Sequence, residues 1–149
     1  MEKFAFILHP LSLQDMEHLS PLMRYIPDPI IEACLKMKKP FKVSHITGIK
    51  SPYAEAEGWF IGCPLTAKQM VELPEEFVMD RIIESGKVAQ ELGAKIVGLG
   101  AFTSIVGDAG ITVAKNLDIA VTSGNSYTVA TAIQGTKQAA RMMGKDLKE

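Results

Sequence analysis

The sequence predicts an α/β domain: a three-layer α/β/α lobe on a mainly parallel sheet with an antiparallel edge. Three observations carry this. The β-branched runs at 95–99 and 119–122 each break off into glycine and small hydroxyl residues, as a buried parallel strand does where its C-terminal end meets a crevice. Segments of helical periodicity, at 75–92 and about 126–143, follow strand-like runs. Two further β-type runs, at 41–49 and 58–63, are joined by KSPYAEAE, which is too short for a helical crossover, so they pair antiparallel.

The elements follow in order. KFAFIL at 3–8 is an apolar run with two aromatics and reads as a first strand, closed by His9 and Pro10 because proline cannot extend a central strand. Ser12 is placed to cap a short helix, LQDMEHL, which must stop near Ser20 and Pro21. Asp28 and Pro29 then read as an N-cap and a first helical residue opening IIEACLKM, a helix that ends before Pro40. Cys34 on it is expected in the core, and Lys36, Lys38 and Lys39 form a solvated helix end. Thr66 and Gln69 have capping-box spacing and start a short helix after Pro64. Pro74 opens the longest helix: Val78, Ile82, Ala89 and Leu92 share one stripe, acidic residues fill its first turn, and Gly93 stands where a left-handed cap belongs. One or two helical turns at 111–116 precede the strand at 119–122. The last helix is expected to be capped by Asn125, to turn Ala130, Ile133, Ala140 and Met143 inward and to end at Gly144, leaving KDLKE as a polar tail.

Length and composition bound the function. A chain of 149 residues with 47% apolar residues makes one domain with a substantial core. Its apolar runs are far shorter than the roughly 20 residues that span a bilayer, and MEKFAFILHP has no signal-peptide form, which predicts a cytoplasmic protein without a membrane partner. The net charge is −1 with scattered basic residues, so the footprint of a nucleic-acid binder is missing. Cys34 and Cys63 form no CxxC pair, so neither a disulfide framework nor a metal site is expected.

The two glycine-rich turns read as walls of one site, with Thr103, Ser104, Ser123, Asn125, Ser126 and Thr128 as small donors and acceptors. His9 lies just past a strand end, where imidazole can anchor a ligand or move a proton. His45, mid-strand, reads as a structural histidine. Lys68 would hang over the sheet's end as a catalytic candidate. Cys63 has no histidine neighbour in sequence to activate it. Asp108, in VGDAG, reads as a turn residue. Gly98 and Gly100 begin a dinucleotide fingerprint, but Thr103 stands at the third glycine and Asp118 precedes its strand, so no cofactor-binding residue is assigned.

Taken together, HPLS at 9–12, VSHITG at 43–48, GLGAFTSIVG at 98–107 and TSGNSYT at 122–128 resemble a known family. It is the N-terminal substrate-side domain of shikimate-dehydrogenase-like oxidoreductases, the predicted amino-acid dehydrogenases related to long-chain acyl-(acyl carrier protein) reductases. The resemblance implies that residues 1–149 are one substrate lobe, with a C-terminal Rossmann domain supplying NAD(P) in the complete enzyme and no cofactor held in this chain. It implies a carbonyl, alcohol or acyl substrate between the two loops, with Asn125 and Ser126 carried over. The shikimate motif's aspartate is Tyr127 here, and its lysine falls two residues late, at Lys68. A lobe without its partner exposes an apolar rim, so a homo-oligomer is expected. The alternative is a stand-alone, non-enzymatic small-molecule-binding or interaction module using the same crevice.

Overall fold

The computed structural model describes residues 1–17 and 24–145. The end expected near Ser20 for the first helix lies outside these residues. Five strands, β1 (Glu2–Leu8), β2 (Phe41–Lys50), β3 (Glu55–Gly62), β4 (Ile96–Leu99) and β5 (Ala120–Thr122), form one sheet in the order β2-β3-β1-β4-β5. β1 pairs parallel with both β3 and β4, β4 pairs parallel with β5, and β2 joins β3 antiparallel. The α/β class, the mainly parallel sheet and the antiparallel edge are therefore all present.

The helices are α1 (Gln14–Glu17), α2 (Asp28–Met37), α3 (Ala67–Glu72), α4 (Glu75–Glu91), α5 (Ile111–Lys115) and α6 (Asn125–Met142). Alternation along the strands sets the core. Ala5, Ile7, Trp59, Ile61, Val97 and Leu99 point to one face, where they meet Val78, Ile82 and Ala89 of α4, Met70 of α3 and Val113 of α5. α2 straddles the C-terminal edge of the sheet. Its Glu32 and Lys36 carbonyls accept bonds from Gln69 Nε2 (2.9 Å) and Arg81 Nη2 (3.0 Å), and its Leu35 meets Leu8, Phe41, Val43 and Gly62 around a cavity on the other side. Helices thus lie on both sides of the sheet.

Local sequence signals explain most element ends. The Thr66 hydroxyl accepts from Gln69 N–H (3.2 Å) while Gln69 Oε1 accepts from Thr66 N–H (3.1 Å), a complete capping box. Gly93 (φ 86°) and Gly144 (φ 66°) take left-handed conformations that close α4 and α6.

Five expectations need correction. Asp28 is the first residue of α2 rather than its cap, because Pro27 occupies the N-cap and no side chain bonds there. Ser12 does not cap α1: the Asp15 carboxylate reaches back to accept the Leu11 and Ser12 N–H groups at 2.8 and 3.0 Å. Cys34 is exposed, since α2 buries Ile31 and Leu35 instead. Asn125 does not cap α6, whose N-cap is Gly124 at φ 74°. Finally, α6 turns no face inward: Ala130, Ile133 and Met143 are exposed and Ala140 is half-buried.

Candidate functional site

The chain runs from β1 to β3 on one side of the sheet and then crosses over β1 to reach β4, so strand order reverses beside β1. In open α/β sheets the crevice for ligands lies at such a point, outside the C-terminal strand ends. Here those ends carry Leu8, His9 and Pro10 after β1, Cys63 and Pro64 after β3, and the 3-10 turn Ala101–Ser104 after β4.

His9 ties the three together. Phe102 N–H donates to His9 Nε2 at 3.2 Å, which places the ring proton on Nδ1, directed at the Pro10 carbonyl 3.1 Å away. That same carbonyl accepts from Ala67 N–H (3.3 Å) at the start of α3, and the imidazole meets the Phe102 ring edge-on at 5.9 Å. Both ring nitrogens are thus engaged. His9 shapes the crevice, and a ligand would have to displace one of these bonds to reach it.

The turn after β4 is held in an uncommon conformation. Ala101 (φ 48°) is a non-glycine residue in the left-handed region, immediately before the Phe102 N–H that meets His9. Thr103 is 1% exposed and its hydroxyl donates to the Gly100 carbonyl at 2.8 Å, so it closes the turn instead of facing a ligand. Ser104 is half-buried, its hydroxyl donating to the Ala101 carbonyl at 2.7 Å. Asn125 and Ser126 are exposed in the first turn of α6, and the Thr128 hydroxyl donates to Gly124 O at 3.1 Å. No hydrogen bond among the described residues joins these three to His9 or to the 101–104 turn. Lys68 is exposed on α3, with Nζ 3.5 Å from Glu32 and 3.9 Å from Glu72. His45 is a surface residue stacked on Trp59 and bonded to Glu57. The Asp108 carboxylate caps α5 through Thr112. The Thr112 backbone N–H and then its hydroxyl hold Asp108 below the ordinary aspartate range.

Gly98 and Gly100 have a packing role. A Cβ on Gly98 would meet Phe6 Cδ2 at 2.6 Å, and one on Gly100 would meet the Ile7 carbonyl at 2.6 Å and Phe6 Cε1 at 2.7 Å. The pair clears space for the Phe6 ring and for β1.

What sequence reasoning missed is a cavity of about 190 Å³ lined by Leu8, Leu35, Phe41, Val43, Gly62 and Pro64, with His9, Asp15 and Cys63 also along its wall. It joins α2, β2 and the ends of β1 and β3, so no local motif marks it. The Cys63 thiol is fully buried beside Ser85 and Arg81. Burial pushes its pKa up to about 11, so it stays protonated and unreactive near neutral pH.

These features define an α/β domain with an apolar-lined crevice at the C-terminal edge of its sheet. No family model matches the chain. Over 87 residues, 58% of the chain, it is 38% identical to a curated protein named aminotransferase PigE from Serratia sp. (strain ATCC 39006). The aligned part is 10% of that protein's length. The expectation of an NAD(P)-dependent, shikimate-dehydrogenase-like oxidoreductase lobe is therefore corrected: the relative is named for amino transfer, not hydride transfer. No described helix is long and apolar enough to cross a membrane.

Proposed function

We propose that this chain is an accessory ligand-holding domain of an aminotransferase-type protein, distinct from the amino-transferring unit. The cavity seats the short apolar tail of a carbonyl or amine compound. The observation that carries the reading is the cavity itself, concave and lined mainly by apolar side chains at the C-terminal edge of a doubly wound sheet. At about 190 Å³ it has room for on the order of six water-sized groups, which suits a short alkyl chain or a small ring.

Two further points support a holding role. The likeness to aminotransferase PigE extends over a tenth of that protein, which leaves ample chain there for the catalytic unit its name implies. The Cys63 thiol is protonated and buried away from the cavity against Ser85, and the imidazole is committed to backbone groups, an arrangement suited to shape and orientation more than to covalent chemistry. An exposed free Cys34 suits a reducing compartment such as the cytoplasm.

The test is a thermal-shift series with four- to eight-carbon aldehydes, amines and carboxylates. A ligand that binds only the folded chain raises its melting temperature. Val43 is exposed at the cavity mouth, so Val43→Trp should obstruct it without disturbing the core and weaken binding at least roughly tenfold. Absence of stabilisation by the whole series at millimolar concentration, or unchanged binding by Val43→Trp, would refute the reading.

A further inference from the structure

The sheet has one face closed by helices and one largely open. On the open face, clear of the cavity at its α2 corner, Phe6 and Ile96 are exposed. Its glycines make it flat: the Phe4 ring lies over Gly58 and the Phe6 ring over Gly98 and Gly100, with Phe6 edge-on to Phe60 at 6.4 Å. The result is an apolar, aromatic floor that, among the described residues, no helix crosses beyond the corner where Leu35 of α2 meets Leu8 and Val43. A sheet face of this kind is ordinarily buried against another layer.

The same chain carries the missing layer and does not use it. α6 leaves β5 through Gly124 and buries no residue, although Val129, Ile133, Ala140 and Met143 fall on one stripe of it. We infer that α6 of one copy packs across the open sheet face of a second copy, and the reverse, in a reciprocal two-fold dimer.

Dimensions support this occupant. The 18 residues of α6 span about 27 Å, and the seven residues of β1 about 23 Å, so one helix matches the height of the face. A helix of that length and about 10 Å width covers on the order of 270 Å², so each contact buries about 500 Å² in total and two buries about 1,000 Å². That reaches the roughly 1,000 Å² floor of a biological interface, at the weak end of the range. A two-fold exchange also covers both exposed surfaces of each copy in one closed assembly, leaving none to propagate.

The experiment is sedimentation velocity on the 149-residue chain with two substitutions at exposed positions, Ile133→Glu on the helix and Ile96→Lys on the sheet face. Ile133 is 51% exposed and Ile96 40%, so neither change should unfold a single copy. Far-UV circular dichroism checks this, and Val129→Glu serves as a second helix variant. The unsubstituted chain should be a dimer, and each variant should raise its dissociation constant about a hundredfold. An equimolar mixture of Ile133→Glu and Ile96→Lys copies should recover the dimer. That heterodimer keeps one unaltered contact and sets Glu against Lys in the other.

A monomeric unsubstituted chain, whether α6 folds onto its own sheet or stays free, would overturn the inference. So would dimerisation that ignores the helix variants, as a face-on-face dimer would, dimerisation that ignores Ile96→Lys, as a helix-on-helix dimer would, or a mixture that stays monomeric.

Discussion

The two thiols show how far a residue's chemistry is set by its surroundings. Cys34 is exposed on α2, whereas Cys63 lies beneath α4 against Ser85 and Arg81. Iodoacetamide should therefore modify Cys34 and spare Cys63 in the folded protein, and modify both after denaturation; mass spectrometry of the labelled peptides reads this directly. Burial raises the folded pKa of Cys63 from 9.0 to about 11, so between those values the folded state binds more protons than the unfolded one. Its contribution to stability is full below about pH 9 and is lost as pH rises through about 11. Denaturation midpoints that fall across that window in the native chain, but less in Cys63→Ala, are the expected outcome. At this scale the sequence was only partly legible. Asp108 reads correctly as a turn residue because its partner, Thr112, is four residues away. The roles of Cys34, Cys63 and His9 depend on residues remote in sequence, and His9 bonds across 93 positions.

At the scale of elements, what could be read was whatever is decided within four or five residues. The Thr66 and Gln69 box, the Gly93 and Gly144 caps, and the hairpin of β2 and β3 are all local, and all are present. The glycines after β4 show the opposite case. Their spacing invites comparison with a phosphate-binding loop, yet what fixes them is the approach of β1. The nearest neighbour of a Cβ on Gly100 would be the Ile7 carbonyl at 2.6 Å, a backbone atom of a paired strand that cannot swing aside. Gly100→Ala should therefore force β1 and β4 apart and destabilise the domain by about 1–3 kcal/mol, in the range of overpacked cores. Gly98→Ala should cost less, because its main obstacle is the Phe6 ring, which can tilt toward the open face. Urea denaturation of the two variants gives the comparison, and equal stabilities would contradict this account of the loop.

For the whole molecule, the mainly parallel sheet with its antiparallel edge and the buried stripe of α4 follow from patterns the sequence displays, but the placement of α6 does not. Its periodicity correctly marks a helix with an apolar stripe, and a stripe is ordinarily read as facing the chain's own core. Here the core is complete without it: Val78, Ile82 and Ala89 of α4 are fully buried against the sheet, while α6 buries nothing. Such a helix is difficult to maintain alone. It contains Thr128, Val129, Thr131, Ile133 and Thr136, which are β-branched, and Gly135 in its interior, all of which lower helix propensity, and most helical stability in proteins comes from tertiary packing. Its order should therefore depend on the second copy. In hydrogen exchange read by mass spectrometry, amides of α4 should be equally protected in dilute and concentrated samples, since their packing lies within one chain. Amides of α6 should be protected only above the dimer dissociation constant and should exchange near the rate of an unstructured peptide below it. Protection of α6 that is strong and independent of concentration would place its partner within the same chain.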